Sequence, residues 1–132
     1  MSEFIQPAGW ARPRGYANGM AAHGKIIAIA GQVGWHPETL KFGSESLVDQ
    51  VRSALENVVT VLRAADAEPQ HVIRMTWYIT DRHAYSENTS LIGQVYREIF
   101  GRHYPAMTVV VVAGLIEQQA KVEIEATAVV PD

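Results

Sequence analysis

Apolar residues change their spacing along this chain in a way that marks out its elements one after another. From Leu47 through Val51, Leu55, Val58, Leu62 and Ala65 they recur every three or four positions, with Asp49, Gln50, Arg52 and Glu56 on the other side. That period predicts an amphipathic helix, and Ser44 ahead of it is suited to capping the first turn. A second stripe, Leu91, Ile92, Val95, Tyr96, Ile99 and Phe100, predicts another helix, stopped by Gly101 and finally by Pro105. Strand patterns fill the intervals. Residues 72–80 are rich in β-branched and aromatic side chains and end at Asp81, whereas Val122, Ile124, Ala126, Ala128 and Val130 alternate with Glu123, Glu125 and Thr127. Residues 16–23 and 25–33 read as the two strands of a hairpin turning at His23-Gly24-Lys25, and 34–43 as a surface loop punctuated by Pro37, Thr39 and Gly43.

The resulting order, strand, strand, helix, strand, helix, strand, strand, predicts an α+β fold with two helices on one face of the sheet. Residues 107–115 are apolar on both faces, the pattern of a strand covered on two sides. Two helices cover only one, so the second face is expected to meet a copy of the same chain in a closed symmetric oligomer.

Composition narrows the class. With 132 residues, 48% hydrophobic and 19% charged, the chain suits a single globular domain over 1–132, in which 1–15 form an extended, partly looped leading segment. Eleven Lys and Arg against fourteen Asp and Glu leave a net charge of -3, which disfavours general binding to a phosphate backbone. Cysteine is absent, so disulfides, thiolate metal sites and cysteine nucleophiles are excluded. Residues 1–12 lack a basic start followed by an apolar stretch, and apolar runs such as 109–113 fall far short of the ~20 residues of a membrane span. A cytoplasmic protein without membrane partners is the expectation. His23, His36, His71, His83 and His103 show no metal-binding spacing, so no metal site is assigned, and His36 is the one histidine to examine in a cleft.

Six segments occur in a telling order: Gly15-Tyr16-Ala17-Asn18-Gly19, Ala30-Gly31-Gln32-Val33, residues 50–57, residues 85–88, Tyr104-Pro105-Ala106 and Val122-Glu123-Ile124-Glu125-Ala126. Together, over about residues 15–130, they resemble the Rid family, the YjgF-like reactive intermediate deaminases. The resemblance implies a chorismate-mutase-like (ferredoxin-like ββαβαββ) mixed sheet, a homotrimer, and a ligand cleft at each subunit interface. It further implies hydrolysis of a small enamine or imine to a keto acid and ammonia, without cofactor or metal.

Residue by residue, the resemblance points to Tyr16 as a cleft tyrosine, Gly31 as a glycine whose backbone faces the ligand, and Asn88 as an asparagine at the start of the second helix. Glu123 matches the glutamate that orients the attacking water. One position departs. Where the family carries a carboxylate-binding arginine after the Pro-Ala pair, this chain has Met107. An arginine fork makes two charge-assisted bonds to a carboxylate and a thioether makes none. Arg14, two residues before Tyr16, is the nearest candidate in sequence to replace it, against the plainer reading of a solvated arginine. Glu123 and Glu125 share a strand face, so each also suits a solvated edge or an ion pair between subunits. Tyr16 equally suits an interface ring, Met107 a core filler and Arg74 a surface ion pair.

Three functional readings follow from the residues and the resemblance. The first is a Rid-like hydrolase whose substrate differs from simple 2-amino acid-derived imines because of Met107. The alternative is a noncatalytic trimer binding a small molecule or a protein through the same clefts. The third, a ribonuclease or translation inhibitor, is disfavoured by the negative charge and the lack of a basic aromatic strip.

Overall fold

The computed structural model describes residues 2–132, so Met1 lies outside the described residues. Along the chain run β1 (Glu3–Ile5), β2 (Gly19–Ala21), β3 (Lys25–Val33), β4 (Trp35–His36), β5 (Lys41–Phe42) and α1 (Leu47–Ala64). After them come β6 (Val72–Ile79), α2 (Arg82–Glu87), α3 (Thr89–Phe100), β7 (Ala106–Val111) and β8 (Val122–Val130). The main sheet has the order β3-β8-β6-β7, mixed because β6 and β7 are parallel while β8 runs antiparallel to both β3 and β6. This is the expected α+β architecture.

Helix α1 lies on β3 and β8 and beside α3, burying Val51, Leu55, Val58 and Leu62 in one core cluster with Val72, Met75, Val122 and Ile124. Each large aliphatic side chain removed from water contributes about 1.5–3 kcal/mol before ordering entropy is subtracted. The cap of α1 is Ser46 and not Ser44: the Ser46 hydroxyl accepts the Asp49 N–H. A capping side chain must reach the second or third helical residue. Ser44 stands too early for that, and its hydroxyl instead donates to the Asp49 carboxylate at 2.8 Å.

Gln50, placed by its pattern on the polar side of α1, is only 1% exposed. Its amide donates to the carbonyls of Ser44 at 3.0 Å and Gln119 at 3.1 Å, and its oxygen accepts the Lys121 N–H at 2.8 Å. A buried amide is tolerable only with such partners. Gln50 thus joins the loop before α1 to the loop before β8.

Two further expectations are corrected. The hairpin of 16–23 with 25–33 does not form: β2 pairs with β1, Met20 opposite Phe4, and β3 pairs along its length with β8. At the intended turn Gly24 adopts φ 146°, and a side chain there would strike the Val130 carbonyl. The corner is therefore pressed against the end of β8. The strand expected over 107–115 ends at Val111, after Val112 N–H donates to Ile79 O at 2.8 Å and the chain turns away. The second helix is α3, capped at Asn88 and ended at Gly101 as expected, and a separate turn, α2, precedes it because Asp81 accepts the N–H groups of His83 and Ala84.

Segment 14–17 runs past the start of β7, where Ala17 N–H donates to Pro105 O at 2.9 Å and Ala17 bridges Ala106 in parallel. Among the described residues, no helix is long and apolar enough to cross a membrane.

Candidate functional site

The sheet face away from the helices carries Arg74, Thr76 and Tyr78 of β6 beside Glu123, Glu125 and Thr127 of β8, since Met75, Trp77 and Ile79 point the other way into the core. The β3–β8 ladder is interrupted between Ile29 and Gln32. That irregularity brings Gly31 against the Glu123 side chain: a Cβ at Gly31 would stand 2.8 Å from both Cγ and Cδ of Glu123 and overlap its carboxylate. Only glycine leaves Glu123 its present position.

The two glutamates differ in their commitments. Tyr78 OH donates to Glu125 Oε2 at 3.0 Å, and this bond to a carboxylate holds the phenol above the ordinary tyrosine range. Glu123 enters none of the ion pairs among the described residues. Arg74, expected in a surface ion pair, also forms none; it lines a shallow cleft of about 230 Å³ with Glu125, Thr76 and Thr127.

A second group of residues gathers on the other side of the sheet. Met107 stands opposite Met75 in the parallel ladder and packs against the core from the helix side. It lines a cavity of about 330 Å³ together with Arg14, Trp77, Tyr85, Ile92 and Tyr104. The structure thus brings Arg14 and Met107 to one cavity. Desolvation holds the Tyr85 phenol above its ordinary range, and Tyr96, also at this cavity, is raised further by burial and by neighbouring Tyr104. Both rings stay neutral near pH 7, and Tyr96 OH donates to the His103 carbonyl.

Asn88 sits at the corner between α2 and α3, one residue before Thr89 of the cavity wall, and its amide donates to Ala84 O at 2.7 Å. Tyr16, 41% exposed, lines an adjoining cavity of about 500 Å³ with Phe4, Trp10 and Arg102, and Tyr104 is common to both cavities. His36 lines a separate cleft with Glu56 and Asn57, which neither Gly31 nor Glu123 touches. Among the described residues no three His, Asp or Glu side chains stand together as metal ligands.

One further cation at the Met107 cavity was not singled out by sequence: Arg97 of α3. Gly93 lies one turn earlier, and a methyl there would come within 3.2 Å of Arg97 Nη1. The only signal in the sequence is a glycine four residues before an arginine beside the apolar stripe.

The candidate residues therefore form two sets, Gly31 with Glu123 on the open face and Arg14 with Met107 under the helices. They lie on opposite faces of one sheet. The fold is thus a mixed α+β sheet with a carboxylate outside any ion pair on its uncovered face and an aromatic cavity on the helix side. The family model described as endoribonuclease L-PSP matches residues 11–130, and the chain belongs to this family, that of the Rid (YjgF-like) proteins.

Among solved structures, the Rid family protein YyfB of Yersinia pestis, of unknown function, superimposes with a TM-score of 0.86 at 28% identity, over 98% of each chain. The crystal structure of Escherichia coli TdcF with bound serine gives 0.69 at 32% identity, over 97% of this chain and 98% of that one. The human 2-iminobutanoate/2-iminopropanoate deaminase is 29% identical over 105 residues, 80% of this chain and 73% of that protein.

Proposed function

We propose that this protein is a hydrolase of small imines or enamines, working at a site shared between two protomers of a homotrimer. The observation that carries the reading is the Gly31–Glu123 contact: a carboxylate held on an uncovered sheet face, without an ion-pair partner, against a residue that must lack a side chain. Similarity to a deaminase of 2-imino acids and to a protein crystallised with bound serine supports the substrate class.

The chemistry needs a base for water, a donor to nitrogen and an anchor for the rest of the substrate. In this reading Glu123 accepts a proton as water adds to the imine carbon. Glu123 returns that proton to nitrogen to give the carbinolamine, whose hydroxyl proton then passes to nitrogen as the C–N bond breaks, leaving ammonia and the keto compound. An enamine first takes a proton on carbon and gives one up from nitrogen to become the imine. Tyr16 hydrogen-bonds the reacting nitrogen, Gly31 offers backbone to the ligand, and Asn88 borders the cavity that receives the substrate. Because Gly31 and Glu123 stand on the face opposite Met107, one protomer supplies the water side and its neighbour the binding cavity.

The test is keto acid release from imines generated in place. A dehydratase supplies the 2-aminoacrylate series and an amino acid oxidase supplies 2-imino acids of other side chains, with wild type, Glu123→Gln and Met107→Arg compared. We expect wild type to accelerate at least one substrate and Glu123→Gln to lose about 100-fold or more, within the range general bases contribute. Met107→Arg should gain on the smallest substrates. An inert wild type across the panel, or a Glu123→Gln variant as fast as wild type, overturns the reading in favour of a binding module.

A further inference from the structure

The family arginine is absent at position 107, yet the cavity that holds Met107 is not without cations. Arg14 and Arg97 both line it, and neither takes part in an ion pair among the described residues. Arg97 comes from α3, where Gly93 leaves its guanidinium room to lie back along the helix. The wall between them is aromatic. Trp77 is 2% exposed, and its indole N–H is the one buried side-chain donor left without a partner among the described residues. Trp77 is part of the same cavity wall. With its N–H buried, Trp77 gives the wall its ring, and the charge at this cavity comes from the two arginines.

We infer that Arg97, with Arg14, is the carboxylate anchor of this protein, and that the ligand is a 2-oxo or 2-imino acid whose side chain is aromatic or branched. The inference rests on the proposed imine hydrolysis for its imino form, but the anchoring itself does not. Planar guanidinium groups match a carboxylate in two-point geometry. The remainder of the wall is apolar, made by Trp77, Tyr85, Ile92, Tyr96 and Met107, and an arginine at 107 would put a charge among them. A thioether there fits an apolar or aromatic group instead, since sulfur packs well on rings. Moving the anchor from the strand to the helix thus frees the floor of the cavity for a larger side chain. At about 330 Å³ the space is at the small end of ligand cavities, in keeping with one ring and a short acid.

The experiment uses stable oxo acids as probes with the whole protein. Binding of phenylpyruvate, 2-oxobutanoate and the uncharged phenylacetone is measured by calorimetry for wild type, Arg97→Gln, Arg97→Lys, Arg14→Gln and Arg97→Gln with Met107→Arg. We expect phenylpyruvate to bind more tightly than 2-oxobutanoate, and Arg97→Gln to weaken both acids on the order of tenfold while leaving phenylacetone unchanged. Arg97→Lys should recover part of that loss, and Met107→Arg should restore 2-oxobutanoate more than phenylpyruvate. Equal acid binding by wild type and Arg97→Gln overturns the anchor. Tighter binding of 2-oxobutanoate than phenylpyruvate overturns the side-chain class. The hydrolase reading fails separately: acid binding that depends on Arg97 without turnover of any imine refutes the reaction and leaves the anchor standing.

Discussion

Gly31→Ala isolates the contact on which the proposed chemistry depends. Its methyl group would stand 2.8 Å from Cγ and Cδ of Glu123, where ordinary contact begins near 3.4 Å. The Glu123 side chain must therefore retreat by at least about 0.6 Å, and its carboxylate, which is overlapped outright, by more. The backbone of Gly31 is not in the left-handed region, so alanine brings no φ strain there. An off-rotamer glutamate costs about 0.5–1.5 kcal/mol, and alanine returns about 0.4–1 kcal/mol by restricting the unfolded chain. Stability should then move by less than about 1 kcal/mol in a urea melt. Turnover should fall 10- to 100-fold, since about 1 Å of misplacement in a catalytic group has that effect. The assay is keto acid release with an imine turned over by wild type, and the decisive comparison is a double-mutant cycle. If Gly31 acts through Glu123, Gly31→Ala adds little to Glu123→Gln, and shortening the side chain by Glu123→Asp recovers part of the loss. Full activity in Gly31→Ala, or losses that simply multiply, would refute the reasoning.

Two other outcomes test the frame around the site. Gln50→Ala leaves the Ser44 and Gln119 carbonyls and the Lys121 N–H without their partner, and should cost about 2–4 kcal/mol in chemical denaturation. Tyr78, Tyr85 and Tyr96 have folded pKa values raised above the free phenol, so their contribution is complete below about pH 10 and is lost as pH rises through the folded values. Stability should therefore decline in the alkaline range, less steeply in Tyr96→Phe, which at neutral pH loses about 1 kcal/mol with its bond to the His103 carbonyl. Absorbance titration of Glu125→Gln should show one phenol, Tyr78, returning toward its ordinary value.

Residues whose environment is set by local period were legible in the sequence, and those set by distant partners were not. The stripe from Leu47 to Leu62 identifies α1 because a helix satisfies its own backbone and needs only one apolar face. Strand residues carry no such label for their partner. Residues 25–33 fit a hairpin with 16–23 by proximity, but their ladder is made with 122–130, almost a hundred positions away. Gln50 reads as polar surface because nothing within one turn reveals the two loops that close over it. For the candidate site, resemblance singles out Gly31, Glu123 and Met107, whereas it does not single out Arg97, which shares a cavity with Met107 only through the fold. Arg14 is a candidate in the sequence only through its closeness to Tyr16 in the chain.

The position of β8 has a consequence for how the chain is made. It lies between β3 and β6, and every other element named here is synthesised before it. As the chain leaves the ribosome, β3 and β6 have no shared neighbour to join them, and α1 has only part of the surface on which it rests. The apolar sides of both strands must wait in water, or in the hands of a chaperone, until residues 122–130 slot between them. Slow translation over the loop before β8 would prolong that exposure, and in a chain that folds this late, synonymous codon changes near Lys121 become a lever on soluble yield.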